Sequence, residues 1–103
     1  MRLPMIDEAD VYGVLHQVED PELGCNIVDL GLVYGVIISG DQVKVQMTLT
    51  TPGCPMHETL IRGVQTALLK LEAVGQVEVE LVWDPPWHSS MMTDYGRARV
   101  GAI

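Results

Sequence analysis

VKVQMTLT, residues 43–50, decides the fold class. Val43, Val45, Met47 and Leu49 alternate with Lys44, Gln46, Thr48 and Thr50. A period of two puts the apolar side chains on one face of a β-strand and the polar ones on the other. Just upstream, Ser39-Gly40-Asp41-Gln42 is turn chemistry, joining this strand to an apolar, β-branched run at 27–38 as a β-hairpin. Gly31 and Gly35 interrupt that run, so the earlier strand is expected to start near Leu32. Downstream, Thr51-Pro52-Gly53-Cys54-Pro55 turns the chain into a helix with Leu60, Ile61, Val64, Ala67, Leu68 and Leu71 as its apolar stripe. That helix should end before Gly75, a residue suited to the left-handed conformation that closes helices.

The flanks extend the same reading. Val11, Val14, Leu15 and Val18 follow helical spacing and predict a first helix at about residues 7–18. Asp7 is its expected cap, Ile6 its staple against Val11, and Pro21 its stop. EDPELGCN, 19–26, reads as a loop. Val77, Val79, Leu81 and Trp83 alternate with Glu78 and Glu80 as a third strand, broken by Asp84-Pro85-Pro86. Ser89 or Ser90 is expected to cap a short last helix. The order is α-β-β-α-β-α, an α/β (α+β) two-layer sandwich with helices on one face of a small mixed sheet.

With 103 residues, the chain is expected to form a single domain, 1–103. Hydrophobic residues at 48% and charged residues at 19% suit a folded globule rather than a disordered chain. The net charge of −8 excludes the clustered cations that nucleic acid or an anionic membrane requires; only Arg97 and Arg99 are locally basic. MRLPMIDEAD lacks the apolar run of a signal peptide, so a cytoplasmic location with reduced thiols is expected. Cys25 and Cys54 form no C-x-x-C pair.

Chemistry concentrates at Cys54. If Pro55 takes the first helical position, Cys54 is the N-cap, where unpaired N–H groups and the helix dipole favour thiolate over thiol. Gly53 permits close approach of another group. His57, in the first turn, is placed to assist or ligate, or is a surface residue. Glu19, Asp20 and Glu22 form an acidic group that can bind a metal, meet a basic partner or simply solvate a helix end. Cys25 reads as a packing residue. Trp83 is expected to pack at the end of the third strand. Trp87, held by Pro85 and Pro86, is expected to cover a groove or meet a partner, with Met91 and Met92 beside it or in the core. No nucleotide motif and no Ser/His/Asp arrangement occurs.

Three blocks, DPELGCNIVDLGLVYGV (20–36), VKVQMTLTTPGCP (43–55) and VEVELVWDPPW (77–87), together resemble a known family. It is the iron–sulfur assembly domain of SufT, of PaaD proteins and of eukaryotic cytosolic cluster-targeting proteins. The resemblance implies a factor that helps mature iron–sulfur proteins rather than an enzyme. It makes Cys54 the reactive cysteine of the TTPGCP turn, supported by Thr51, Gly53 and His57, with Asp20 and Glu22 folded near it. Cys25 falls where the family pattern has no cysteine. The cysteine-rich extension of PaaD proteins has no counterpart here, which favours a SufT-like protein.

One cysteine cannot supply the four ligands of a cluster. Any transient iron–sulfur cluster at Cys54 would share ligands with a second subunit, a partner or a small thiol. The expected partners are the assembly machinery and client apoproteins, served by an adaptor or a transient carrier, with a homodimer as one way to complete the ligand set. The alternative is a small thiol-dependent enzyme, for which His57 is the one candidate base.

Overall fold

The computed structural model describes residues 6–21, 23–50 and 57–101, the side chain of His57 excepted. Helix α1 is Glu8–Leu15, capped by Asp7, whose carboxylate accepts from the Ala9 N–H at 2.9 Å. It stops at Leu15, short of the expected residue 18, and Pro21 is not what ends it. Gln17 and Val18 instead donate to the carbonyls of Val14 and Leu15, tightening the last turn, and the Val18 carbonyl is taken by the Ile27 N–H at 2.9 Å. That bond opens a two-stranded antiparallel ribbon, β1 (Glu19–Asp20) and β2 (Cys25–Asn26), where the sequence had predicted a plain loop. Gly24, at φ 67°, helps the chain reverse between them.

Strands β3 (Val33–Ser39) and β4 (Gln42–Met47) form the expected hairpin, with Ser39 opposite Gln42. Gly40 at φ 60° is the first of its two loop residues, the place where glycine is favoured in a primed turn. Helix α2 (His57–Leu69) then carries the chain across to β5 (Gln76–Leu81), which pairs parallel with β4 from Gln42–Gln76 to Met47–Leu81. The sheet is therefore mixed, in the order β3-β4-β5. The expected cap at Cys54 and first position at Pro55 lie outside the described residues.

Alternation on β4 does what its sequence implies. Val43, Val45 and Met47 are completely buried, with Leu60, Val64 and Leu68 of α2 and Val11 and Leu15 of α1 in the same core. Complete burial of such side chains is worth about 1.5–3 kcal/mol each. Cys25 belongs to this core, as its packing reading required. On the opposite face Lys44 reaches Glu78 at 3.8 Å and Glu80 at 3.5 Å, and Gln46 donates to Glu80 at 3.0 Å.

Further expectations fail because of contacts made across the fold. Gly75 is not left-handed. Its N–H donates to the Asp41 carbonyl at 2.8 Å, and a Cβ there would run into the Asp41 carboxylate, so glycine serves a close approach. Trp83 lies beyond β5 and is 42% exposed, whereas Trp87 packs on the core and donates its indole N–H to the Leu30 carbonyl at 2.8 Å. His88, not a serine, caps a short 3-10 turn at Ser89–Met91. Helix α3 (Asp94–Val100) follows, capped by Thr93, whose hydroxyl accepts from the Gly96 N–H at 3.1 Å.

Candidate functional site

In sequence, strand β4 and helix α2 bracket residues 51–56. Cys54, Thr51 and Gly53, with Glu22 of the acidic loop, lie outside the described residues, as does the His57 side chain. Asp20 is described, and it is buried. Its Oδ1 accepts from the Leu23 N–H at 3.2 Å and its carbonyl from the Gly24 N–H at 2.8 Å, so this acid shapes the ribbon turn. The β1–β2 register sets Asp20 opposite Cys25. The ribbon thus brings together one expected site residue and the cysteine read as structural.

Cys25 is 1% exposed, and burial first, then the negative charge of Asp29, pushes its thiol above the ordinary range. Both effects disfavour the thiolate, so Cys25 is a poor nucleophile and a poor metal ligand. This is the opposite of the thiolate-favouring environment that the sequence leads one to expect for Cys54.

Sequence reasoning missed a polar knot at Asp29. Asn26 Nδ2 donates to Asp29 Oδ2 at 2.6 Å, and the Asp29 N–H donates to Asn26 Oδ1 at 2.9 Å. The Thr93 hydroxyl donates to Asp29 Oδ1 at 2.6 Å, and the Thr93 N–H to the Asp29 carbonyl at 2.9 Å. His16 places Nε2 at 4.0 Å from Oδ2, its Nδ1 donating to the Tyr12 carbonyl at 2.8 Å. The Thr93 hydroxyl above all, then the Asn26 amide, holds the Asp29 carboxyl below its usual range. The N-x-x-D spacing was a readable local signal; the Thr93 partner, 64 residues away, was not.

A second missed residue is Thr48, just past β4. It is completely buried, and its hydroxyl has no hydrogen-bond partner among the described residues. A buried hydroxyl left unpaired costs about 1–3 kcal/mol. Among the described residues, no group of three or more His, Cys, Asp or Glu side chains is arranged to hold a metal ion. No described helix is long and apolar enough to cross a membrane.

On the far side of the ribbon, a groove of about 470 Å³ separates Gln17–Pro21 from the outer face of α2. Its lining includes Pro21 and Thr59, close in sequence to Glu22 and to residues 51–56.

Comparison with known proteins gives these features a family. The chain is 43% identical over 93 residues to the "Fe-S protein maturation auxiliary factor YitW" of Bacillus subtilis (strain 168), covering 89% of this chain and 91% of that one. It is 46% identical over 83 residues to the "Fe-S protein maturation auxiliary factor SufT" of Staphylococcus aureus (strain USA300), covering 80% and 94%. A crystal structure of a domain of unknown function from Bacillus anthracis superposes with a TM-score of 0.87 at 37% identity, over 93% of this chain and 92% of that one. The family model described as "Iron-sulfur cluster assembly protein" matches residues 8–81, from the first residue of α1 to the last of β5. By that match and those identities, the chain belongs to the iron–sulfur cluster assembly protein family.

Proposed function

We propose that this protein is an accessory factor in iron–sulfur cluster assembly or delivery, acting as an adaptor or transient carrier through Cys54. The observation that carries the reading is the near full-length match to relatives named as maturation auxiliary factors. The chemistry agrees with it. A cysteine that caps a helix is biased towards thiolate, while Cys25 is buried and biased towards thiol. This leaves Cys54 to meet a cluster or a client, with Asp20 and Glu22 as the acidic loop beside it.

The cluster is cargo in this reading. Cys54 contributes one thiolate, and the remaining ligands come from the assembly machinery, the client apoprotein, a small thiol or a second copy of the chain. An adaptor needs less: it holds the machinery and the client together, and the thiolate engages the cluster only in passing. The work is done in the cytoplasm, where the thiol stays reduced, and involves no turnover of a metabolite. One cysteine favours the adaptor over the carrier.

Complementation tests the reading. In cells lacking the protein, Cys54→Ser is expected to abolish maturation of a cluster-containing client enzyme while leaving the melting curve of the purified protein unchanged, because serine is a good N-cap. Cys25→Ala is expected to retain most of the maturation activity. Full activity in Cys54→Ser would overturn the assignment to that residue. Anaerobic reconstitution with iron, sulfide and a small thiol divides the two modes: a labile chromophore lost in Cys54→Ser supports the carrier, and a colourless protein with intact partner binding leaves the adaptor.

A further inference from the structure

We infer that the groove between the β1 ribbon and helix α2 binds an extended acidic segment of a partner protein. The inference deepens the adaptor reading and rests on it for the identity of the partner as client or assembly protein. The groove itself stands on geometry and charge.

Its floor is apolar and shallow: Val18 and Leu60 are nearly buried, and Gly63 and Ala67 contribute almost no side chain. A Cβ on Gly63 would sit 3.7 Å from Val18 Cγ1, so α2 lies against the ribbon here with bare backbone. The α2 wall runs from Thr59 to the helix end at Leu69, about 15 Å at 1.5 Å per residue, with Lys70 just beyond. About five residues of extended chain span the same length.

Charge selects the occupant. Among the described residues Lys44 is paired with Glu78 and Glu80, Arg97 with Asp94, and Arg99 donates to the Gly24 carbonyl. Arg62 and Lys70 have no ion pair among the described residues, both are exposed, and both line this groove, Arg62 on α2 and Lys70 just past its end. In a chain of net charge −8, the two cationic side chains with neither an ion pair nor a hydrogen bond among the described residues share one wall. Glu19 stands on the opposite wall, where it turns a carboxylate away and so steers acidic side chains towards α2.

Fluorescence anisotropy with a labelled Ser-Glu-Leu-Glu-Leu-Glu-Ser peptide tests the inference on the full chain. The Glu peptide is expected to bind about tenfold tighter than its Gln counterpart, and Arg62→Gln with Lys70→Gln to remove that advantage. Lys44→Gln with Arg97→Gln makes the same change in net charge away from the groove and is expected to leave binding within about twofold. Glu19→Gln is expected to tighten binding about twofold, a gain that a purely structural role would not produce. Equal affinity for the two peptides, or no binding of either, overturns the inference. So does a concentration-dependent dimer in sedimentation that Arg62→Gln with Lys70→Gln dissolves, because the occupant would then be a second copy. Cys54→Ser is expected to bind the peptide as the parent does. A failed groove and a failed cysteine therefore give different results.

Discussion

Two polar regions flank the β1–β2 ribbon, and they are built on opposite rules. On one side the Asp29 carboxylate accepts from Asn26 and Thr93 and faces His16, so its hydrogen-bonding capacity is used inside the fold. On the other side Arg62 and Lys70 line a groove with no ion pair among the described residues. Both regions are small and partly exposed, yet one is closed on itself and the other is open. A closed knot stabilises the chain, because loss of one member strands the others. An open cation contributes little to stability and remains available for association.

Breaking the knot at its centre should have the largest effect on stability. Asp29→Ala leaves Asn26 and Thr93 without their acceptor and is expected to cost about 2–3 kcal/mol in urea unfolding, with α3 loosened first. The pH dependence has a definite sign. The folded carboxyl titrates below its usual range, so its contribution is complete above the ordinary carboxylate pKa of about 3.9 and is lost as pH falls through the lower folded value. Stability of the parent should therefore fall more steeply below about pH 4 than that of Asp29→Asn. An unchanged acid limb in Asp29→Asn would mean that other carboxylates dominate.

Thr93 sharpens the comparison at an intermediate level. Its hydroxyl both caps α3 and donates to Asp29, so Thr93→Ala is expected to cost about 1–2 kcal/mol in the same measurement. Thr93→Ser keeps the hydroxyl and should recover most of that loss. The smallest effect belongs to the open side. Arg62→Ala with Lys70→Ala is expected to stay within about 0.5 kcal/mol of the parent. A larger loss would show that the groove wall is part of the fold's own stabilisation.

The two regions also differ in how far they could be read from the chain. Period-two alternation at Val43–Met47 announced the central strand, and Ser39–Gln42 announced its hairpin, because both signals are local. The ribbon was invisible for the opposite reason: strands of two residues have no period, and they exist because Ile27 and Val18 pair across a turn. Choosing between Trp83 and Trp87 needed the Leu30 carbonyl, 57 residues away, and no pattern around either indole encodes it. The serines at 89 and 90 competed as caps with Thr93, which won because Asp29 fixes its hydroxyl. For the site, Cys54 stood out through its turn and its family pattern. Asp20 stood out as an acid, but its burial and its role in the ribbon turn depend on tertiary structure. The groove cations attracted no notice as a pair, since their meaning comes from what Lys44, Arg97 and Arg99 already hold.

The segment after β5 folds back across the middle of the chain. Pro85 accepts from the Tyr34 hydroxyl at 2.7 Å, Trp87 reaches Leu30, Thr93 reaches Asp29 and Arg99 reaches Gly24. The Met91 carbonyl lies so close to Gly31 that a Cβ there would sit 2.5 Å from it. These partners are separated by 51 to 75 residues. On the ribosome this order has a cost in time. At about 5–20 residues per second, the 24–34 surface waits roughly 3–15 seconds for its cover to be made. During that interval Leu30 and the backbone around Gly31 lack their cover, and the arrival of residues 85–99 sets when that surface closes.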